Sequence, residues 1–201
     1  GGVLRKTPPQ AMVHKVFDPM RDVRTCSLMA WGYNPYILEK DTYRGAYMAV
    51  VESVAKLIAT GGGDSEMYLS FQEYFERLGQ NPARWGKPLA ALLGAYRAQD
   101  DLGIAAIGGK DSMSGTFEDL HVPPTLISFA VTTAAIDRIT SPEFKEAGRD
   151  VYWVRPAYSD SGLPDAASLV ATFDFIKQWM REGSVCAAAT PGYGGVAEAV
   201  F

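Results

Sequence analysis

Cysteine is scarce in this 201-residue sequence: Cys26 and Cys186 stand far apart, so neither a disulfide framework nor a paired-cysteine metal site is encoded. A reducing compartment fits that usage best. Histidine is equally scarce. His14 and His121 lie in proline-bordered segments with no cysteine or carboxylate cluster at metal-ligand spacing, and neither is assigned a catalytic role. No run approaches the ~20 apolar residues that span a bilayer, and the N-terminus lacks the basic, apolar and small-residue order of a secretory signal. A cytoplasmic protein with no membrane partner is expected. Positive charge is in deficit as well: 19 Lys and Arg face 23 Asp and Glu, a formal net charge of -4, which argues against nucleic acid as a partner. Internal repeats and low-complexity segments are absent. The chain opens on Gly1-Gly2 and stops at Phe201 inside an expected helix, and a piece of a longer polypeptide is the expectation.

What is present is the composition of an ordinary globular protein, 47% hydrophobic and 21% charged. "VRTCSLMAW" (23–31) predicts a strand. In "DTYRGAYMAVVESVAKLIATGGG", Tyr47, Val50, Val51, Val54 and Ile58 recur at three- and four-residue spacing, which predicts a helix started by Asp41 or Thr42 and ended by Gly61. Ser70 and Glu73 have capping-box spacing, so a short helix is expected from there to about Gly79. Another follows Pro82 or Pro88, carries Trp85, Leu89, Leu92, Leu93 and Tyr96 on one side, and closes at Gly103. "IAAI" (104–107) reads as a strand buried on both faces, and "TLISFAVTT" (125–133) as another. A connector with a short helix after Ser141-Pro142 carries a domain boundary, giving domains 1–143 and 144–201. The second is expected to be α/β, with strands at "VYWVRP" and "SVCAAAT" and helices at "DAASLVATFDFIKQWMREG" and "GGVAEAVF".

The segment "AIGGKDSMSG" (106–115) concentrates the chemistry. Gly108-Gly109 behind a strand leaves backbone amides open to an anion, Lys110 adds charge, and Ser112 and Ser114 add hydroxyls. A tight turn with polar decoration fits the same residues. The P-loop pattern is missed, because a second glycine precedes the lysine and an aspartate follows it; "GGGDSE" likewise lacks the third glycine of a dinucleotide fingerprint. Glu52 and Lys56, four apart, share one helix face. They form either a solvated ion pair or, if that face turns inward, a site for phosphate or a metal-bound nucleotide. Trp31, Tyr33, Tyr36 and Tyr43 supply aromatic surface, for packing or for stacking a ligand.

Taken in order, "SLMAWGYNP", "YRGAYMAVVESVAKLIATGG", "LSFQEYFERLGQNPARWGKPLAALLGAYRAQDDLGIAAIGGKDSMSG" and "VPPTLISFAVTT" resemble phosphoribosylformylglycinamidine synthases of the long, single-polypeptide type, over nearly the whole chain. The match is to the second of their two AIR-synthase-like halves. The resemblance implies an α/β (α+β) fold: an AIR-synthase-like N-terminal domain with a mixed sheet and flanking helices over 1–143, then the start of a C-terminal domain over 144–201. It implies a purine-pathway ligase in which ATP activates the formamide oxygen of formylglycinamide ribonucleotide and ammonia from glutamine displaces phosphate. ATP and magnesium are the implied cofactors, and the remaining domains of the synthase the implied partners.

Carried over by position, Gly108, Gly109, Lys110, Asp111 and Ser112 would hold nucleotide or substrate phosphate, with Lys56 contributing charge, and Glu52 matches a metal-binding glutamate. No catalytic residue is carried over. Lys56 and Lys110 stand where relatives have metal-binding asparagines, and Thr190 and Gly192 replace an aspartate and a serine. The departures also fit a pseudo-symmetric half that braces an active one; the lack of aspartate-rich metal motifs argues against a selenophosphate synthetase or thiamine-phosphate kinase relative. Without its partner half the piece would present an apolar sheet face, so a homodimer is expected.

Overall fold

The structure, a computed structural model, describes residues 7–63 and 65–201. The Gly1-Gly2 start and Asp64 of the "GGGDSE" run lie outside the described residues. Five strands form a mixed sheet in the order β1-β2-β7-β3-β4, from β1 (Ala11–Lys15), β2 (Thr25–Gly32), β3 (Tyr68–Tyr74), β4 (Ala106–Ser112) and β7 (Thr125–Ala135). A small antiparallel ribbon, β5 (Thr116–Phe117) with β6 (Leu120–His121), follows β4. Along β2 buried and exposed residues alternate strictly, with Cys26, Leu28 and Ala30 inward. The chain divides into two compact units.

One unit comprises Trp31–Val54 and Met67–Ala130. Its helix α1 (Pro35–Lys40) begins at a proline, a residue that biases the position before it away from helix. Here the proline occupies the first turn, where its missing amide costs nothing, and the Asn34 side chain accepts from the Ile37 amide. Helix α2 (Thr42–Ala59) starts as expected, with the Asp41 carboxylate accepting from the Arg44 amide. Its buried Ser53 hydroxyl lies 2.9 Å from that of Ser128 on β7, which ties helix to sheet.

Helix α3 (Pro82–Leu102) is capped by Asn81 and closed by Gly103 in the left-handed conformation, φ 64°. Its buried face is Pro88, Ala91, Gly94, Ala95 and Ala98, whereas Trp85, Leu89, Leu92, Leu93 and Tyr96 are exposed. Small residues win the inner face because the backbones approach closely: a Cβ on Gly94 would meet the Tyr43 carbonyl at 2.0 Å.

Two expectations in this unit are overturned. Residues 68–74 form strand β3, not a capping-box helix; Leu69, Phe71 and Glu73 are buried in alternation, a period-2 pattern that pairing with β4 enforces. The strand expected at 104–107, buried on both faces, begins at Ala106, runs through the glycines to Ser112 and is exposed along most of its length.

The other unit comprises Gly1–Ala30, Ala55–Glu66 and Val131–Phe201. In it β1 pairs antiparallel with β2, Met12 opposite Met29, and the Cys26 thiol donates to the Ala134 carbonyl at 3.2 Å. A short 3-10 turn (Ile136–Arg138) follows β7, and no helix forms after Ser141-Pro142; the Ser141, Glu143 and Lys145 side chains knot that segment together instead. Helix α4 (Ala166–Arg181) forms as expected, its Asp165 cap accepting from the Ser168 amide and its Leu169 and Phe173 buried; α5 (Gly195–Val200) also forms. The strands expected at 151–156 and 184–190 do not form. Val151, Tyr152 and Trp153 are exposed, and among the described residues these segments find no neighbouring strand to complete a ladder.

Candidate functional site

The site begins with β3 and β4, which run parallel with Phe71 opposite Gly109, Gln72 opposite Lys110, Glu73 opposite Asp111 and Tyr74 opposite Ser112. The "GGKDS" segment is therefore neither a phosphate loop nor a tight turn. It is the end strand of the sheet order, and its free edge carries backbone groups unmatched by any strand among the described residues. Gly109 is required by packing, since a Cβ there would lie 2.5 Å from the Phe71 carbonyl oxygen; at Gly108 a Cβ would meet nothing within 4 Å. Both glycines thus leave the strand bare, one because space is lacking and one where space is open.

Gly108, Gly109, Lys110 and Asp111 are exposed and Ser112 is half-buried. The Lys110 ammonium reaches the main-chain oxygen of Asp111 at 3.3 Å, not its carboxylate, and the Ser112 and Ser114 hydroxyls lie 3.3 Å apart. Glu52, in the same compact unit, is half-buried, and its Oε2 accepts from the Tyr33 amide at 3.0 Å. Lys56 belongs to the other unit and is 7% exposed, so the helix face bearing it turns inward and a solvated ion pair does not describe it. Thr190 exchanges two 2.7 Å bonds with the Gln10 side chain, and Gly192 forms a bridge with Gly195. His121 Nδ1 lies 3.1 Å from the Thr116 hydroxyl in the β5–β6 ribbon.

Glu73 was missed as a site residue because its spacing from Ser70 assigned it a capping role. It is 3% exposed, and its Oε1 has no hydrogen-bond partner. Burial pushes its carboxyl up to about 7, and the nearby Asp111 charge adds to the rise. The alternation of Leu69, Phe71 and Glu73 in "YLSFQEY" was the available signal. Nearby Glu76, also buried, is held by Lys87 and by Arg84 at 3.0 Å, and its carboxyl lies below the usual range because of the Lys87 bond first.

The other unit contains a hollow of about 280 Å³ bordered by Arg138, Lys145, Met180 and Cys186. Its cations are already engaged, Arg138 with the Arg181 carbonyl and Lys145 with Ser141 and Glu143. Among the described residues no cluster of three or more His, Cys, Asp or Glu side chains is placed to hold a metal, and no helix is long and apolar enough to cross a membrane.

This mixed sheet with flanking helices is an AIR-synthase-like fold. It is shared with PurL from Thermotoga maritima complexed with FGAR, at a TM-score of 0.62 and 17% identity over 87% of this chain and 26% of that one. The same protein complexed with AMPPCP gives 0.55 and 20% over 67% and 22%, and phosphoribosylformylglycinamidine synthase II of Thermotoga maritima 0.54 and 22% over 67% and 21%. The chain spans about a quarter or less of the length of these structures. No family model matches the sequence, and no curated protein does.

Proposed function

We propose that the chain is part of an ATP-using, purine-pathway ligase of the phosphoribosylformylglycinamidine synthase type, an AIR-synthase-like N-terminal domain over 1–143 and the start of a second domain over 144–201. The observation that carries this reading is the fold, shared over 87% of the chain with a PurL structure complexed with FGAR. The bare, exposed end strand β4 supports it: main-chain groups on its free edge, uncovered by side chains at Gly108 and Gly109, and the Ser112 hydroxyl suit a phosphate. In the parent enzyme such groups position and stabilise a phosphoryl group, and the remaining domains supply ammonia and the other half of the chemistry.

Magnesium does not fit at Glu52. One oxygen of that carboxylate is committed to the Tyr33 amide, and the residue one turn further on is a buried lysine, whose charge opposes a cation. Phosphate binding by this half therefore draws its positive charge from Lys110, which is exposed on β4. Calorimetric titration of the 201-residue chain with AMPPCP and with inorganic phosphate, each with and without EDTA, tests this. Binding that survives the chelator and weakens at least tenfold in Lys110→Ala supports the reading; strictly magnesium-dependent binding, or none, overturns it.

The same two observations at Glu52 and Lys56 favour a second reading, a half that braces its partner and binds no nucleotide; absence of binding in that titration would select it. Under either reading the chain pairs with a second AIR-synthase-like half. Trp31, Tyr68 and Tyr74 are exposed, facing away from the buried residues of their strands. In isolation a homodimer forms, and a monomer at micromolar concentration in sedimentation would refute it.

A further inference from the structure

Among the described residues, three shielded carboxylates are matched by cations. Glu76 has Lys87 and Arg84, Asp101 has Arg97 at 2.8 Å, and Glu143 has Lys145 at 2.6 Å. Glu73 and Asp111, opposite one another on adjacent parallel strands, have none. The Glu73 Oε1 is the only buried side-chain oxygen or nitrogen without a partner among the described residues. The nearest cation in sequence, Lys110, alternates to the other side of β4 and bonds a main-chain carbonyl. Two acidic groups side by side, one desolvated and both without countercharge, repel each other unless a cation or a proton joins them.

We propose that Glu73 and Asp111 form a binding site for a divalent cation, Mg²⁺ or Mn²⁺, at the β3–β4 ladder. Two carboxylates match the charge of the ion, and small hard cations of this kind are held by one or two carboxylates while keeping several of their waters. Asp111 is exposed and provides the entry, while Glu73 supplies a second oxygen from the interior. Gly108, with open space where a side chain would be, leaves β4 uncrowded near the pair. This site is separate from Glu52 and does not depend on a nucleotide.

The test uses Mn²⁺ alone, titrated into the metal-free 201-residue chain and followed by electron paramagnetic resonance, with Mg²⁺ as competitor. One saturable site is expected with a dissociation constant on the order of 1 mM or below. Glu73→Gln and Asp111→Asn should each weaken it at least tenfold, and Glu76→Gln should leave it unchanged; circular dichroism establishes that each variant is folded. No saturable Mn²⁺ binding, or equal affinity in Glu73→Gln, overturns the site. In the first case a shared proton, not a metal, joins the two carboxyls. Because no phosphate or nucleotide is present, failure here leaves the ligase reading to its own titration.

Discussion

Glu73 and Glu76 are three residues apart, carry the same side chain and are almost equally buried, yet they behave in opposite ways. Glu73 points inward from a strand, with Asp111 across the ladder and no donor on Oε1. Glu76 lies just past the strand end, where the first turns of α3 bring Arg84 and Lys87 to it. Burial alone therefore does not set the state of a carboxyl; what matters is whether its surroundings return the solvation that burial removes. At Glu76 they do, through charge-assisted bonds. At Glu73 they do not, and the group is left with a proton affinity close to neutrality.

The widest separation between the two is expected in their pH dependence. With about 1.4 kcal/mol per pH unit, the rise of Glu73 from 4.5 to about 7 costs the ionised, folded protein about 3 kcal/mol. The folded state binds this proton more tightly than the unfolded one, so the contribution to stability is fully present below pH 4.5 and is lost as pH rises through 7. In EDTA, Glu73→Gln should be more stable than the parent by about 3 kcal/mol at pH 8, the two converging near pH 4. Urea denaturation across that range measures it, and a difference independent of pH would erase the contrast with Glu76.

Glu76→Gln should act in the other direction. Removing the charge that Lys87 and Arg84 bond should destabilise by about 2 kcal/mol at pH 7. Since the folded state holds Glu76 below its ordinary value, this contribution is present above pH 4.5 and disappears as pH falls through the folded value. Next in size is Gly109→Ala, whose Cβ would press on the Phe71 carbonyl and force β4 away from β3, at about 1 to 2 kcal/mol; Gly108→Ala should change stability by less than about 0.5 kcal/mol. Arg84→Ala should cost only about 0.5 kcal/mol, because Lys87 remains on Glu76 and Arg84 is partly in solvent. Chemical denaturation of these variants ranks them, and an Arg84 effect as large as that of Glu76 would assign the pair's whole contribution to one cation.

The helices were the most legible part of the fold. α2 and α3 announce themselves by three- and four-residue spacing, and α2 by its Asp41 cap, which acts locally; the structure adds Asn81 and Asp165 as caps of α3 and α4. Which side of a helix is buried was less so. On α3 the large apolar residues share one side as expected, yet the packed side is the small one, a choice made by Tyr43 on α2. Strands fared worse where length was short: "SFQEYF" satisfies capping-box spacing and period-2 alternation at once, and only a partner strand decides between them.

The site divided in the same way. Gly108 to Ser112 stood out by residue type alone, because glycines, a lysine and an aspartate gathered behind an apolar run are rare without reason. Their conformation did not, since an edge strand and a turn use the same glycines. Glu73 could not be recognised at all while it was assigned to a helix start.

From its sequence this protein determined the positions of its long helices and the small, polar character of "GGKDSMSG", because these depend on residues close together in the chain. Tertiary structure alone decided that Glu73 faces Asp111 without a cation while Glu76 meets two, and that Lys56 turns inward. Those outcomes depend on which distant groups arrive beside a side chain and remove its water, and only the assembled fold brings such groups together.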